Sequence, residues 1–546
     1  MLVLGLGAGV LGGVAAGAFD ALRALGGMLV LDTAQASLEA GGWRALVAPV
    51  AGGLLAGAVL QLGKLPRPMG MSRLMEHIQL RGGQVPLRDA VLTAVAAMIA
   101  LGSGHSGGRE APVASLAGGL SHALGRRLQL SASEVRVLVA AAAAAAVAAS
   151  FNTPLGSAVL AMEVLLGSFA ARFFGPIVAA TVAGTIVGQA LLGERVAFHA
   201  PAFTLGHPAE LLAYVLLGVI TGALAAALAV GVRRADRWTE EHPASPMARG
   251  AVSGAVVGLL GALGLTGVMG TGYPLIERLL HEPRSLGVAM LGALLLGKFV
   301  TTLTLVASRI GPGLLSPILV LGATCGALVG LGVESWLPGV VSPGSFAIVA
   351  MGALAAATLR APLSMVLVLF ELTGDYAVVP TMLLASAVAM LVSEALGAGS
   401  LYDGLLANRG VHLDRDIPAS LRALSVSDLM ATSGHAIVGP TPSLDEVTAA
   451  FRDTRDNVVW SVDATGRYVG AIHVQDVLDA ATQEASSASL FLDLPVLRAD
   501  QPAGDAVSLL ASLEVDEVAV VDAGGQMVGV LHERSLLGAL HPSVAS

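Results

Sequence analysis

Up to about residue 415, apolar residues come in long unbroken runs, and polar residues fall between the runs rather than alternating inside them. A run of about 20 residues with few charges matches the length of a helix that crosses a bilayer. The runs predict membrane helices near 2–30, 43–63, 86–104, 131–149, 153–192, 208–232, 248–266, 284–308, 312–333, 344–373 and 377–397. The first run has no basic residue before Arg23 and apolar character soon resumes, so it reads as a membrane helix rather than a cleaved signal peptide. Pro, Gly and Arg interrupt the pattern at 66–73, 102–112 and 311–317. Broken backbone at membrane depth persists only where it is buried in protein or lines a cavity.

Beyond residue 415 the texture changes. Short β-type runs at 436–438, 457–462, 468–473, 517–521 and 527–531 alternate with helical patterns at 443–452, 475–482 and 503–513. Each copy sets a strand before a Gly turn (Gly466; Gly524-Gly525), then a second strand and a helix. This predicts a membrane domain over 1–415, a linker over 416–424, and a soluble α/β unit repeated at 425–482 and 488–541.

Composition sharpens the split. The chain is 55% hydrophobic and 13% charged, against about 45–50% and about 25% in soluble proteins. That excludes a soluble enzyme and a disordered chain, and a net charge of −9 argues against a nucleic-acid partner. The 68 glycines fit helices packed closely through small residues. The single Cys325 excludes an intrachain disulfide and reads as a buried thiol. Arginines cluster at Arg126-Arg127, at Arg233-Arg234-Arg237 and at Arg409 and Arg415. The last group flanks the soluble part, so the positive-inside rule puts the tail in the cytoplasm. Without a targeting signal, the expected host is a bacterial inner membrane.

The membrane part repeats itself. Ser150-Phe151-Asn152-Thr153-Pro154-Leu155 leads from Pro154 to Glu163 after nine residues, and Thr358-Leu359-Arg360-Ala361-Pro362-Leu363 leads from Pro362 to Glu371 after nine. Each follows a glycine-rich break by about forty residues: Gly107-Gly108-Arg109-Glu110-Ala111-Pro112 and Gly311-Pro312-Gly313-Leu314-Leu315-Ser316-Pro317. Matched breaks in two halves are the pattern of internal-repeat transporters, with the site between the halves.

Glu110 is the leading functional candidate, because an ionisable side chain at membrane depth is costly. Pro112 suits a first helical turn. A helix N-terminus exposed by glycines offers free N–H donors and a dipole to an anion. A carboxylate placed there occupies an anion site and leaves it on protonation, which is the behaviour of a gate. The plainer alternative is an acidic cap paired with Arg109. Gly313 to Pro317 offers the same device again, or a simple re-entrant turn.

These residues, in this order, resemble the CLC family of chloride channels and chloride/proton antiporters. The matches are Gly108-Arg109-Glu110-Ala111-Pro112, Phe151-Asn152-Thr153-Pro154-Leu155 before Glu163, Gly313-Leu314-Leu315-Ser316-Pro317, Phe370-Glu371-Leu372-Thr373-Gly374-Asp375-Tyr376 and Ser400-Leu401-Tyr402. The resemblance implies a mostly α polytopic fold with inverted repeats and broken helices. It also implies a homodimer with one anion pathway per subunit, and transport of chloride or a similar small anion through the bilayer. Glu110 is then the gating glutamate. Tyr402 and the backbone of Leu314 and Leu315 line the central anion site, with Gly70, Arg109, Ala111 and Ser316 beside them. HExxH motifs, paired aspartates and Ser/His dyads are missing from the apolar part, so no enzyme is expected.

Three departures qualify this reading. Met69 stands where the family has an anion-donating serine, and a thioether donates no hydrogen bond; methionine there resembles the fluoride-exporting branch. Val164 replaces the inner proton-relay glutamate of the antiporters. A passive channel is favoured, with an exchanger using another proton route as the alternative. Leu315 and Ala111 replace a phenylalanine and a glycine, changes that keep the backbone donors.

Other groups have plainer readings. Glu163 and Glu371 read as caps or interface pairs, Lys298 as a vestibule charge or an interfacial lysine, and His105 as a solvated loop histidine. The tail resembles a tandem CBS pair. Its Gly470-Ala471-Ile472-His473-Val474-Gln475-Asp476 ends in an aspartate that commonly binds the ribose of an adenine nucleotide. The second copy lacks that carboxylate, and His473 and His532 stand where a hydroxyl residue often meets phosphate. A structural dimerisation module without cofactor is the preferred reading.

Overall fold

The computed structural model describes the chain outside residues 32–42, 66, 194–209, 337–341, 412–420, 422–423, 454–456, 475–476, 478–493, 514 and 541–546. It divides into two compact units, Met1–Leu413 and Asp414–Ser546.

The first unit is helical. Its helices are α1 (Leu2–Leu31), α2 (Trp43–Leu62), α3 (Met71–Leu80), α4 (Leu87–Gly102), α5 (Glu110–Arg127), α6 (Ala132–Phe151), α7 (Pro154–Leu160), α8 (Ala171–Leu192) and α9 (Glu210–Glu241). They continue with α10 (Pro246–Ala262), α11 (Tyr273–His281), α12 (Gly287–Ser308), α13 (Leu315–Trp336), α14 (Pro343–Leu359), α15 (Pro362–Thr373), α16 (Val378–Ala395) and α17 (Leu401–Ala407). Among the described residues, eight helices are long and apolar enough to cross a membrane. Of these, the spans in α6 and α13 are the most buried inside the protein.

Two predicted helices are in fact pairs. The run 344–373 divides into α14 and α15, because Arg360 takes a left-handed conformation (φ 56°) and Ala361 leaves the helical region before Pro362. The same device, Asn152 at φ 60° with Thr153 before Pro154, ends α6. The run 153–192 divides too: α7 continues as a π-helical turn, Ala161–Leu166, which stops at Gly167 (φ 62°), and α8 starts afresh. Hydropathy averaged over a helix length does not register a break of two to four residues such as 360–361 or 167–170. The short α3, α11 and α17 escaped the pattern because they are too short to span.

The halves close on each other through reciprocal caps. Glu371 of α15 accepts from the Leu155 and Gly156 N–H groups at the start of α7, at 2.8 and 2.7 Å. Glu163, in the turn that follows α7, accepts from the Leu363 and Ser364 N–H groups and the Ser364 hydroxyl of α15, at 3.3, 2.9 and 2.7 Å. Each acid satisfies donors that a helix start leaves open, and the exchange makes α7 and α15 an antiparallel pair, as an inverted repeat requires. Gly156 lets them touch, since a Cβ there would lie 2.5 Å from the Val368 nitrogen. Glu163→Gln is expected to lower stability by about 1–3 kcal/mol through loss of charge-assisted bonds. Thermal inactivation in detergent measures this.

The second unit holds two three-stranded sheets with one topology. In the first, β1 (Ile437–Val438) pairs parallel to β2 (Val458–Val462), which pairs antiparallel to β3 (Tyr468–His473). In the second, β4 (Leu497–Arg498), β5 (Glu517–Val521) and β6 (Met527–His532) repeat the order and the sense. Even the register slip recurs, between Ser461/Val462 and Val520/Val521. The glycine turns take left-handed Gly466 (φ 82°) and Gly525 (φ 80°). Hydrogen bonds from Thr465 and from the Arg467 backbone hold the Asp463 carboxyl of the first turn below its ordinary range. The opening segment of the first copy pairs with the second: Ala431 bridges Val530, and the Val426 N–H donates to Gln501. Trp460, Ala519 and Val530 share one apolar core between the copies. His532 faces Glu517 at 3.2 Å, and Asp476 lies outside the described residues, as does most of the predicted linker.

Candidate functional site

The site forms where the two glycine breaks cross. The Gly108 N–H donates to the Gly313 carbonyl at 2.8 Å, and the Gly313 N–H returns the bond at 2.6 Å. This bridge brings together the N-termini of α5 and α13. Such ends carry unsatisfied N–H donors and the positive pole of the helix dipole.

Glu110, 1% exposed, turns its carboxylate into that junction. Its Oε1 accepts from the Leu315 N–H at 2.8 Å, and its Oε2 from the Ser316 hydroxyl at 3.2 Å. A Cβ on either Gly108 or Gly313 would overlap the carboxylate. The seat therefore has two glycines for walls and helix-end donors for contacts, with Glu110 in the place suited to an anion. Ser316 is also bonded to the Tyr273 hydroxyl at 2.9 Å, and the Tyr273 ring meets Phe151 edge to face.

Two cavities approach the seat. The larger, about 130 Å³, is lined by Arg67, Arg73, Arg309 and Arg409, with Asp236 the one acid among its described lining residues. Arg309 pairs with Asp236 and, at 3.2 Å, with Glu240; Arg409 pairs with Glu76 at 3.3 Å. Arg67 pairs with Glu240 and Arg73 with Asp89 at 3.9 Å, so each of the four guanidinium groups that line this vestibule stands beside an acid. Gly70, Ala111, Gly313 and Leu314 line it as well. The smaller cavity, about 20 Å³, is lined by Glu110, Leu315, Ser157 and Val164 among apolar neighbours. Met71 and Tyr402 line both, so they stand between vestibule and seat.

Most of the predicted residues meet here: Gly70, Glu110, Ala111, Leu314, Leu315, Ser316, Tyr402 and Val164. Two lie elsewhere. Arg109 pairs with Asp20 and donates to the Ser150 carbonyl, so its charge is held behind the seat and it does not pair with Glu110. Met69 is fully buried and lines neither cavity; its N–H donates to Thr93 at 2.8 Å and its carbonyl accepts from Ser115. The methionine that lines both cavities is Met71.

Two further expectations change. Lys298 is neither in the vestibule nor at an interface: it is fully buried, and its Nζ donates to the Val268 and Gly270 carbonyls at 3.1 and 3.4 Å. His105 is not solvated. It is fully buried, its ring 3.0 Å from where a Gly53 Cβ would stand, because the loop before α5 is packed beneath α2. Sequence reasoning missed Arg67, Arg73, Arg309 and Tyr273. The signal for the first three was charge inside or beside the helix breaks themselves; Tyr273 had none.

Comparison with known proteins bears on this geometry. The family model described as voltage gated chloride channel matches residues 51–394, and the CBS domain model matches 492–542. A putative chloride channel protein, ClcB-like, from Ralstonia nicotianae is 33% identical over 386 residues, covering 69% of this chain and 89% of the relative. A slow cyanobacterial Cl⁻/H⁺ antiporter superposes with a TM-score of 0.68 at 23% identity, over 75% of this chain and 97% of that one. A eukaryotic CLC transporter superposes with a TM-score of 0.63 at 19% identity, over 98% of both chains.

Proposed function

Because this chain belongs to the CLC family of voltage-gated chloride channels and related transporters, we propose that it passes chloride or a similar small anion across a membrane through a pathway gated by Glu110. The observation that carries this reading is the Glu110 carboxylate seated on the Leu315 N–H and Ser316 hydroxyl. An anion leaving the arginine-lined vestibule passes Tyr402 and then meets the same donors, so carboxylate and anion compete for one seat. Protonation abolishes the carboxylate's charge and with it the advantage over a permanent anion, so acid opens the path. Backbone donors hold an anion without a full opposing charge, which permits release as well as binding.

The reading favours passive conduction. Val164 lines the smaller cavity, and Glu110 is the one acid among that cavity's described lining residues, so a proton leaving Glu110 there finds no carboxylate relay. The protein then works as a homodimer in a bacterial inner membrane, with its tail in the cytoplasm serving dimerisation. In reconstituted liposomes a chloride gradient is expected to dissipate without driving protons uphill. Uphill proton movement would make the protein an exchanger; no chloride flux from folded protein would end the transport reading.

A further inference from the structure

A further cavity of the membrane unit, about 410 Å³, lies between α9, α10 and α12 and shares no lining residue with the two cavities at the seat. Ala235 and Trp238 of α9, Ala248 and Val252 of α10, and Leu303 and Ala307 of α12 give it apolar walls. Trp238 and Val252 are 56% and 64% exposed, so the cavity opens on the protein surface. α9 ends at Glu241 and α10 starts at Pro246. The mouth of the cavity therefore lies near the turn of a helical hairpin, at the depth of lipid headgroups.

Two polar groups interrupt the apolar lining. Arg249 and Ser253 are four residues apart on α10, on one helix face, and both line the cavity. Ser253 is 2% exposed, and its hydroxyl has no hydrogen-bond partner among the described residues; nor has the buried Nε of Arg249. No acid among the described residues answers the Arg249 charge. Asp236 and Glu240 of α9 are held by Arg309 and Arg67, and the one charged side chain that acts on Arg249 is Arg309, another cation.

Buried polar groups nearly always have a partner. Here a guanidinium and a hydroxyl stand together under apolar walls, and what answers all three is an anion with an apolar body. Its oxyanion head accepts from the guanidinium and the hydroxyl, and its hydrocarbon covers the walls. Water would meet the donors but not the walls, and a small inorganic anion gains nothing from them.

We propose that this crevice binds an anionic phospholipid, with the phosphate on Arg249 and Ser253 and an acyl chain along Trp238, Val252 and Leu303. The lipid comes from the leaflet on the side of the arginine-rich end of α9, where Arg233, Arg234 and Arg237 stand. Basic pockets between membrane helices recognise such headgroups. The proposal stands apart from the reading of Glu110 as the gate.

Trp238 supplies the readout, because bromine on an acyl chain touching an indole quenches its fluorescence. The full chain is reconstituted at pH 8 in phosphatidylcholine with a rising fraction of phosphatidylglycerol brominated on its acyl chains, or of brominated phosphatidylcholine. Each protein is read against the same protein carrying Trp238→Phe, which removes the signal of the other tryptophans. Half-maximal quenching is expected at an about fivefold lower fraction of phosphatidylglycerol, the effect of one basic residue on an anionic lipid. Arg249→Gln is expected to abolish this preference and Arg249→Lys to retain it. Arg234 is exposed on α9 and lies outside the cavity; Arg234→Gln is expected to leave the preference within about twofold of wild type. Excess inorganic phosphate leaves the quenching unchanged. Equal quenching by the two lipids in the wild type, or a preference that survives Arg249→Gln, overturns the proposal. So does an equal loss in Arg234→Gln, which marks attraction to the membrane surface at large. If phosphate abolishes the preference, the site belongs to a free anion and the lipid assignment is wrong.

Discussion

Glu110→Gln is expected to raise anion flux at neutral pH by about tenfold or more and to abolish its pH dependence. The carboxylate is held by one backbone N–H and one hydroxyl, and bonds to a charged acceptor contribute about 1.5–3 kcal/mol each. Glutamine keeps the shape but loses the charge. Its oxygen can still take the Leu315 N–H and its NH₂ can donate to the Ser316 hydroxyl, but both are neutral bonds in place of charge-assisted ones. A loss of about 1.4–3 kcal/mol in the closed state corresponds to roughly tenfold to 150-fold in the ratio of open to closed. In the wild type the sign follows from the same contacts: the ionised form closes the path, so flux rises as pH falls. Chloride efflux from liposomes, scanned from pH 5 to 8, measures both effects. A variant whose flux still climbs toward acid would move the gate to another residue.

Gly313→Ala has the opposite expected outcome, a loss of flux of tenfold or more that Glu110→Gln does not restore. The added Cβ would overlap the Glu110 carboxylate and stand 3.2 Å from the Ala111 Cβ. It fills the seat for carboxylate and anion alike. Gly313 is not among the glycines of positive φ, so alanine fits its backbone and the fold is expected to survive. Overpacking of this kind costs about 1–3 kcal/mol, borne at the seat rather than by the helices. Thermal unfolding in detergent should stay close to wild type while efflux falls. Gly313→Ala with unimpaired flux would mean that the anion does not pass over Gly313.

Much of this site is legible in the chain because it is built from local devices. A glycine break followed by Ser-Pro or Ala-Pro at a helix start needs no tertiary knowledge to be read as a set of exposed N–H donors. Glu110 is legible for a similar reason: a lone carboxyl in apolar sequence needs a function or a partner. The matched spacing from Pro154 to Glu163 and from Pro362 to Glu371 revealed the repeat, but not that each acid caps the other half's helix. That exchange depends on which helices lie side by side, and no spacing within one segment records it.

The errors share a cause. Lys298, His105 and Arg109 were each judged by near neighbours, whereas their surroundings come from 268–270, Gly53 and Asp20. Met69 and Met71 differ by two residues, and which of them lines the cavities depends on how the backbone turns into α3. Tyr273 is an ordinary tyrosine in the sequence; only the meeting of α11, α13 and α5 puts its hydroxyl on Ser316.

The sequence by itself determined the membrane class, the two-part organisation, the repeat and the glutamate between glycines. Each of these is set by composition or by short-range backbone chemistry, which the chain carries wherever it goes. The tertiary structure alone decided which donors the carboxylate takes and where the arginines face. It also decided that Gly108 and Gly313 are two walls of one seat. Those facts arise from contacts between segments some 200 residues apart, and long-range contacts exist only once the helices have packed.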